Sequence, residues 1–96
     1  MLNQSKIFKA LSNEDRFKMV MEVKKRGKMY ANEFEYMFFL EQSTINCHLT
    51  KLYESGIFKK ERVGKRVYYS INVEPMFNLY KEFKDLFTET YSKSSI

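Results

Sequence analysis

Apolar residues along most of this chain recur at three- and four-residue spacing, the period of an amphipathic helix, whereas a single stretch after Gly56 alternates with the period of a strand. Ile7, Phe8 and Leu11 predict a first short helix. Ser12 or Asn13 caps a second helix that runs to about Arg26. Glu14 and Asp15 in its first turn and Lys24, Lys25 and Arg26 in its last both suit the helix dipole, and Gly27 stops it. Ala31, Phe34 and Phe38 repeat at i, i+3, i+7 and define a third helix ending around Phe39 and Leu40. A polar start at Gln42, Ser43 and Thr44 opens a fourth, so two helices meet across a tight connection. Gly56 closes it. Ile57 to Arg62 and Arg66 to Ile71 then read as two strands joined through Val63, Gly64 and Lys65. After Pro75 a last helix carries Met76, Tyr80, Phe83 and Phe87 in one stripe, widened by Leu79, Leu86 and Tyr91. The expected fold class is mostly α with a small β-hairpin (α+β), in the order α-α-α-α-β-β-α. One domain covers residues 1–96, with a disordered tail at 92–96.

The fourth helix has two unlike sides. Ile45, Leu49 and Leu52 define a buried face, and the opposite face carries Ser43, Cys47, Thr50 and Glu54, flanked by Asn46 and Lys51. Short polar side chains near a helix amino terminus approach base edges closely enough to hydrogen-bond to them, and Gln42 and Asn46 each suit adenine. A merely solvated helix face has the same pattern. The hairpin adds charge: Lys59, Lys60, Arg62, Lys65 and Arg66 crowd onto it and its tip, while Val67, Tyr69 and Ile71 share one face. Phosphates are the natural target of such a cluster, although charged edges also discourage strand-to-strand aggregation.

Composition narrows the classes further. A chain of 96 residues, 44% hydrophobic and 17% aromatic, builds one core and has apolar surface to spare, which points to an oligomer. A formal charge of +5 makes an anionic partner plausible. No apolar run approaches the ~20 residues of a membrane span, and the amino terminus lacks a leader-type pattern, so a cytoplasmic protein with no membrane partner is expected. The lone Cys47 has no partner for an internal disulfide, in keeping with a reducing compartment. There is no glycine-rich phosphate loop, and neither Cys47 nor His48 sits in a recognisable triad pattern, so no enzyme and no cofactor are expected.

Four stretches together resemble one family: Leu11-Ser12-Asn13-Glu14-Asp15-Arg16-Phe17, Gln42-Ser43-Thr44-Ile45-Asn46-Cys47-His48-Leu49, Leu52-Tyr53-Glu54-Ser55-Gly56-Ile57 and Gly64-Lys65-Arg66-Val67-Tyr68-Tyr69-Ser70-Ile71. They look like the ArsR/SmtB repressors over about Ile7 to Asn72. The resemblance implies a winged helix-turn-helix that binds double-stranded DNA as a homodimer, occupying an operator that overlaps a promoter. By position, Gln42, Ser43, Thr44, Asn46 and Cys47 face bases or adjoining phosphates, and Arg62, Lys65, Arg66 and Tyr68 hold the backbone beside them. His48, Thr50 and Lys51 complete the DNA-binding set. Four departures stand out: Phe39 replaces a usual turn glycine, Glu41 a serine cap, Glu14 a frequent proline and Cys47 a frequent arginine. Glu41 caps poorly and repels phosphate at close range, and Cys47 removes a guanine-reading donor, so sequence preference is expected to differ.

Many members of that family resemble metal sensors, but their ligands are missing here. The matching stretch Lys28-Met29-Tyr30-Ala31-Asn32-Glu33 has no thiol, and the last helix has no histidine, so no metal is expected. For His48 the expectation is a structural or DNA-contact role, and for Cys47 a small-residue contact, with an oxidation switch as the alternative. Helices at residues 1–12 and 75–91 are assigned to dimerisation through Ile7, Phe8, Leu11, Met76, Leu79, Tyr80, Phe83 and Phe87. Such a dimer sets two recognition helices about one DNA turn apart, roughly 34 Å. The alternatives are a last helix folded onto its own domain and, at the level of function, a winged helix that binds protein partners without specific DNA binding.

Overall fold

Helix boundaries coincide with capping chemistry in the computed structural model, which describes residues 4–94, with side chains to residue 85. Helix α1 (Gln4–Leu11) is followed by Asn13, whose side chain accepts from the Arg16 amide at 3.0 Å and starts α2 (Glu14–Arg26). Of the two expected caps, Asn13 takes the position; Ser12 instead donates its hydroxyl to the Lys9 carbonyl at 2.6 Å. Gly27, at φ 91°, ends α2 by returning its N–H to the Val23 carbonyl at 2.7 Å. The left-handed region is easy for glycine and strained for most other residues.

A short strand, β1 (Lys28–Tyr30), follows directly, and sequence patterning did not predict it. It leads into α3 (Ala31–Phe38), where the Glu33 carboxylate accepts from the Tyr30 amide at 3.1 Å and secures the first turn. Helix α4 (Gln42–Glu54) comes next, then β2 (Phe58–Val63) and β3 (Arg66–Ile71). The last helix, α5, spans Val73–Ser94. It starts two residues before Pro75, which fits because a proline in the first turn gives up no intrahelical hydrogen bond. No glycine or proline follows Pro75, and helical backbone continues through the first three residues of the tail expected at 92–96. Residues 95–96, and the side chains of Leu86, Phe87 and Tyr91, lie outside the described residues.

The three strands form one antiparallel sheet in the order β1-β3-β2. Met29 pairs with Tyr69 and Phe58 with Ile71, so one face of the sheet turns these four side chains toward the core. Alternation sends Lys28, Tyr30, Arg66 and Tyr68 to the other face. Val63 pairs with Arg66, leaving Gly64 and Lys65 as a two-residue turn. Gly64 has φ 63° at the first turn position, where a type II′ turn calls for glycine.

Beneath the sheet, Met19, Val23, Met29, Phe34, Ile45, Leu49, Leu52, Ile57 and Phe58 are almost wholly withdrawn from solvent. Each such aliphatic or aromatic side chain contributes about 1.5–3 kcal/mol of burial. Ile7, at 1% exposure, and Leu79, at 8%, belong to this same core. That corrects their assignment to a dimer interface: α1 is too short to stand off the domain, and Ile7 and Leu79 line the cleft where α1 meets α5. Leu11 and Met76 are half-buried against the core, so the first turns of α5 do fold onto their own domain. No helix among the described residues is long and apolar enough to cross a membrane.

Candidate nucleic-acid interface

Helix α4 emerges from a connection whose own residues are conspicuous. Phe39, between α3 and α4, adopts φ 53°, ψ 36° and returns its N–H to Glu35 at 3.2 Å, closing α3 in the left-handed conformation that glycine prefers. Its ring is 92% exposed and that of Tyr36 87%, which puts two aromatic side chains in solvent beside the start of α4. Glu41 occupies the N-cap with extended backbone and makes no side-chain capping bond, so the first amides of α4 have no partner from its carboxylate.

Along α4, Gln42, Ser43, Asn46, Cys47, Thr50 and Lys51 are exposed and Thr44 is half-buried. His48 is the exception: it is 9% exposed and faces inward with Ile45, Leu49 and Leu52. Its assignment to DNA is therefore corrected. At about 100° per residue, position 48 falls about 40° from Leu52, within the buried arc, so exposure at the DNA face is geometrically closed to it. Cys47 points the other way, and the adjacent pair divides between surface and interior.

The inward position of His48 is explained by Arg16, which sequence reading did not single out. Arg16 is itself only 9% exposed; Nε donates to the Ala10 carbonyl at 2.7 Å and Nη1 lies 3.2 Å from His48 Nδ1. A guanidinium only donates, so Nδ1 is the acceptor and the ring proton resides on Nε2. Burial and then the positive charge of Arg16 hold the His48 pKa below its ordinary value; Asp15 pulls the other way, and Lys51 adds a smaller downward push. The imidazole is thus kept neutral, the state its acceptor role requires.

On the hairpin, Arg62, Lys65 and Arg66 are exposed and Tyr68 is half-buried. These side chains are not equally free. Arg66 stacks 4.3 Å from the Tyr30 ring centroid, Tyr30 meets Tyr68 edge-on at 5.5 Å, and the Lys28 ammonium sits 4.9 Å over Tyr68. The hydrogen bond between Arg66 and Tyr68 pushes the guanidinium pKa further up. Alternating cations and rings thus stiffen the outer face of the sheet. Half of this ladder, Lys28 and Tyr30, comes from β1. Arg62 reaches back to the Gly64 carbonyl at 3.4 Å, and Lys65 stands at the turn.

Lys60 of β2 lies 4.2 Å over the Tyr53 ring. On the α4 wheel Tyr53 follows Asn46 and Thr50 at i+7 and i+3, on the same exposed side. Lys60 therefore sits beside the exposed side of α4, with Arg62 on the same face of the hairpin, Lys65 at its turn and Arg66 on the opposite face.

Of the interface candidates on α1 and α5, Phe8 and Phe83 meet edge-on at 5.2 Å, and Tyr80 is 58% exposed. Phe77, missed in the sequence stripe, is 55% exposed beside Tyr80, with ring centroids 6.3 Å apart. Phe87 lies outside the described side chains. Among the described residues no three His, Cys, Asp or Glu side chains gather as metal ligands.

A helix pair joined by a tight turn, followed by a basic hairpin packed beside the second helix, defines a winged helix-turn-helix regulator domain. No family model matches the chain. Similarity to characterised proteins places it nonetheless. Over 75 residues it is 32% identical to the arsenical resistance operon repressor of Bacillus subtilis, covering 78% of this chain and 71% of that protein. Over 68 residues it is 32% identical to the arsenic resistance transcriptional regulator ArsR1 of Pseudomonas putida, covering 71% of this chain and about half, 53%, of that protein. The chain belongs to the ArsR family of transcriptional regulators. Its fold matches that of a homodimeric winged helix-turn-helix DNA-binding domain from Mycobacterium bovis, with TM-score 0.70 and 22% identity over 88% of this chain and 78% of that one. The relatives named for arsenic resistance are regulators rather than enzymes.

Proposed function

We propose that this protein is a sequence-specific double-stranded DNA-binding repressor that acts as a homodimer on an inverted-repeat operator. The observation that carries the reading is the juxtaposition of the polar side of α4 with the basic hairpin through Lys60 and Tyr53. Gln42, Ser43, Asn46, Cys47 and Thr50 enter the major groove and choose the site. Arg62, Lys65 and Arg66 grip the strands beside it and supply most of the affinity. Thr44, half-buried, and Lys51, toward the far end of α4, contribute at the edge.

Dimerisation accounts for the apolar surface of α5 that the domain leaves uncovered. Phe77 and Tyr80 are exposed while Leu79 is buried, so α5 seats one side on its own domain and offers another. The radius of gyration, 15.6 Å, exceeds the about 13 Å of a compact 100-residue domain, as a projecting helix requires. The Mycobacterium bovis domain with this fold is a homodimer.

Selection of bound duplexes from random DNA, followed by competition against unselected duplex, tests the reading. A recovered palindromic motif bound at least a thousandfold more tightly than unselected DNA, with affinity falling steeply as salt rises, is the expected result. No enriched motif, or binding indifferent to salt, contradicts it. Exposed Tyr36 and Phe39 beside α4 favour one second reading, in which this end of the domain binds a protein partner. In that case a stoichiometric protein complex forms and no DNA motif is enriched.

A further inference from the structure

Helices α1, α2 and the carboxyl-terminal half of α4 border a cleft of about 350 Å³ at the edge of α4's exposed side. Lys6 and Lys9 enter it from α1, Arg16 from α2 and Lys51 from α4, with Glu54 as the one carboxylate on its wall. None of the four cations makes an ion pair with a described carboxylate, Glu54 included. Elsewhere Lys18 pairs with Glu14 at 3.1 Å and Arg26 with Glu22 and Glu33 at 3.5 Å, while the hairpin cations, like those of the cleft, have no such carboxylate among the described residues; what sets the cleft apart is that its four cations line one concave site. Uncompensated positive charge gathered around a concave site raises the local concentration of anions. Arg16 is also built in rather than draped over the surface. Its Nε and Nη1 are fixed by Ala10 and His48, so the guanidinium borders the cleft in one orientation, with donors remaining for a ligand.

We propose that this cleft binds a small molecule carrying a multiply charged oxyanion group, such as a phosphate monoester, pyrophosphate or polycarboxylate. The volume lies at the lower end of small-molecule sites, too small for a nucleotide with all its parts enclosed but ample for a charged head group. Arg16 supplies the oriented donors, and Lys6, Lys9 and Lys51 supply mobile charge. Because the lining residues come from three helices, an occupant bridges α1 and α2 to α4. Arg16 already touches α4 through His48, so occupancy is felt by the helix that carries Asn46.

The test is a titration of the ¹⁵N-labelled full chain with pyrophosphate, followed by amide chemical shifts and repeated with sodium chloride at equal ionic strength. Saturable shifts centred on Lys6, Lys9, Arg16 and Lys51, absent with chloride, are expected. Replacing both Lys6→Gln and Lys9→Gln, exposed positions on α1, weakens pyrophosphate at least tenfold. The charge-matched pair Lys24→Gln and Lys25→Gln, at the end of α2, leaves it unchanged. Shifts that chloride reproduces, that centre on the hairpin, or that respond equally to both double variants overturn the proposal. So does a short unselected duplex that perturbs the same amides and displaces pyrophosphate, since the cleft is then a DNA-backbone contact. Since no operator is involved, failure here leaves the DNA-binding reading standing, and failure of that reading leaves this result standing.

Discussion

Arg16 and His48, thirty-two positions apart, meet inside the domain at 3.2 Å and lock the second helix to the fourth. The contact requires a neutral imidazole, and this sets the direction of a pH dependence. In the unfolded chain His48 titrates near its ordinary value of 6.5, and in the folded protein below it. Between those two values the unfolded state binds more protons, so stability rises with pH. The His48 contribution is complete above pH 6.5 and is lost as pH falls through the lower folded value. His48→Asn keeps an acceptor near the position of Nδ1 and removes the titration. Urea midpoints measured between about pH 5 and 7.5 are expected to fall more on acidification for the parent protein than for the variant. Equal slopes contradict this role.

Phe39 holds a backbone conformation that suits glycine, and its ring, 92% exposed, gains little from packing. Phe39→Gly removes a left-handed strain of roughly 1–2 kcal/mol and restores some unfolded-state entropy, so a net gain of about 0.5–1 kcal/mol is expected. Thermal unfolding checks the sign. A loss of stability means that the aromatic ring does more in the free protein than its exposure indicates.

Met29 is fully buried in a strand of three residues, which makes β1 sensitive to a single truncation. Met29→Ala is expected to cost about 2–5 kcal/mol. Because Tyr30 then loses its fixed place beside Arg66, the wing amides are also expected to exchange with solvent faster. Unchanged exchange at Arg66 to Ser70 argues that β1 does not brace the wing.

Much of this architecture was legible in the sequence because local rules agree there. Asn13 with Glu14 and Asp15 starts α2, Gly27 ends it, and Gly64 sets the hairpin turn; each is a short-range signal. What escaped depends on distant partners. Lys28-Met29-Tyr30 alternates like a strand, but three residues are too few to distinguish from a loop until β3 supplies the ladder. His48 was grouped with the polar residues of α4 although its place on the wheel is inside the buried arc; spacing signalled its burial, and what spacing does not encode is its distant partner, Arg16, which makes a buried imidazole tolerable. Ile7 and Leu79 were given to a partner for a similar reason: apolar spacing identifies a buried face without naming what buries it.

Tyr80 stands on the side of α5 that its own domain leaves open. Tyr80→Glu is expected to shift the protein from dimer toward monomer in light scattering at micromolar concentration, with little change in far-ultraviolet circular dichroism. Affinity for a palindromic duplex falls with it, as the second half-site contact is lost. A variant that remains dimeric removes Tyr80 from the interface.

Arg62 and Lys65 carry charge at the hairpin without holding another ring in place, and Asn46 is exposed in the amino-terminal half of α4; the decisive measurement compares these positions on selected and unselected duplexes across a range of salt. Arg62→Ala with Lys65→Ala should weaken both duplexes to the same degree and lower the salt slope by about two, whereas Asn46→Ala should cost about 1–3 kcal/mol on the selected duplex and leave the unselected one unaffected. Uniform loss from Asn46→Ala, or selective loss from the hairpin pair, contradicts a division of labour between helix and wing.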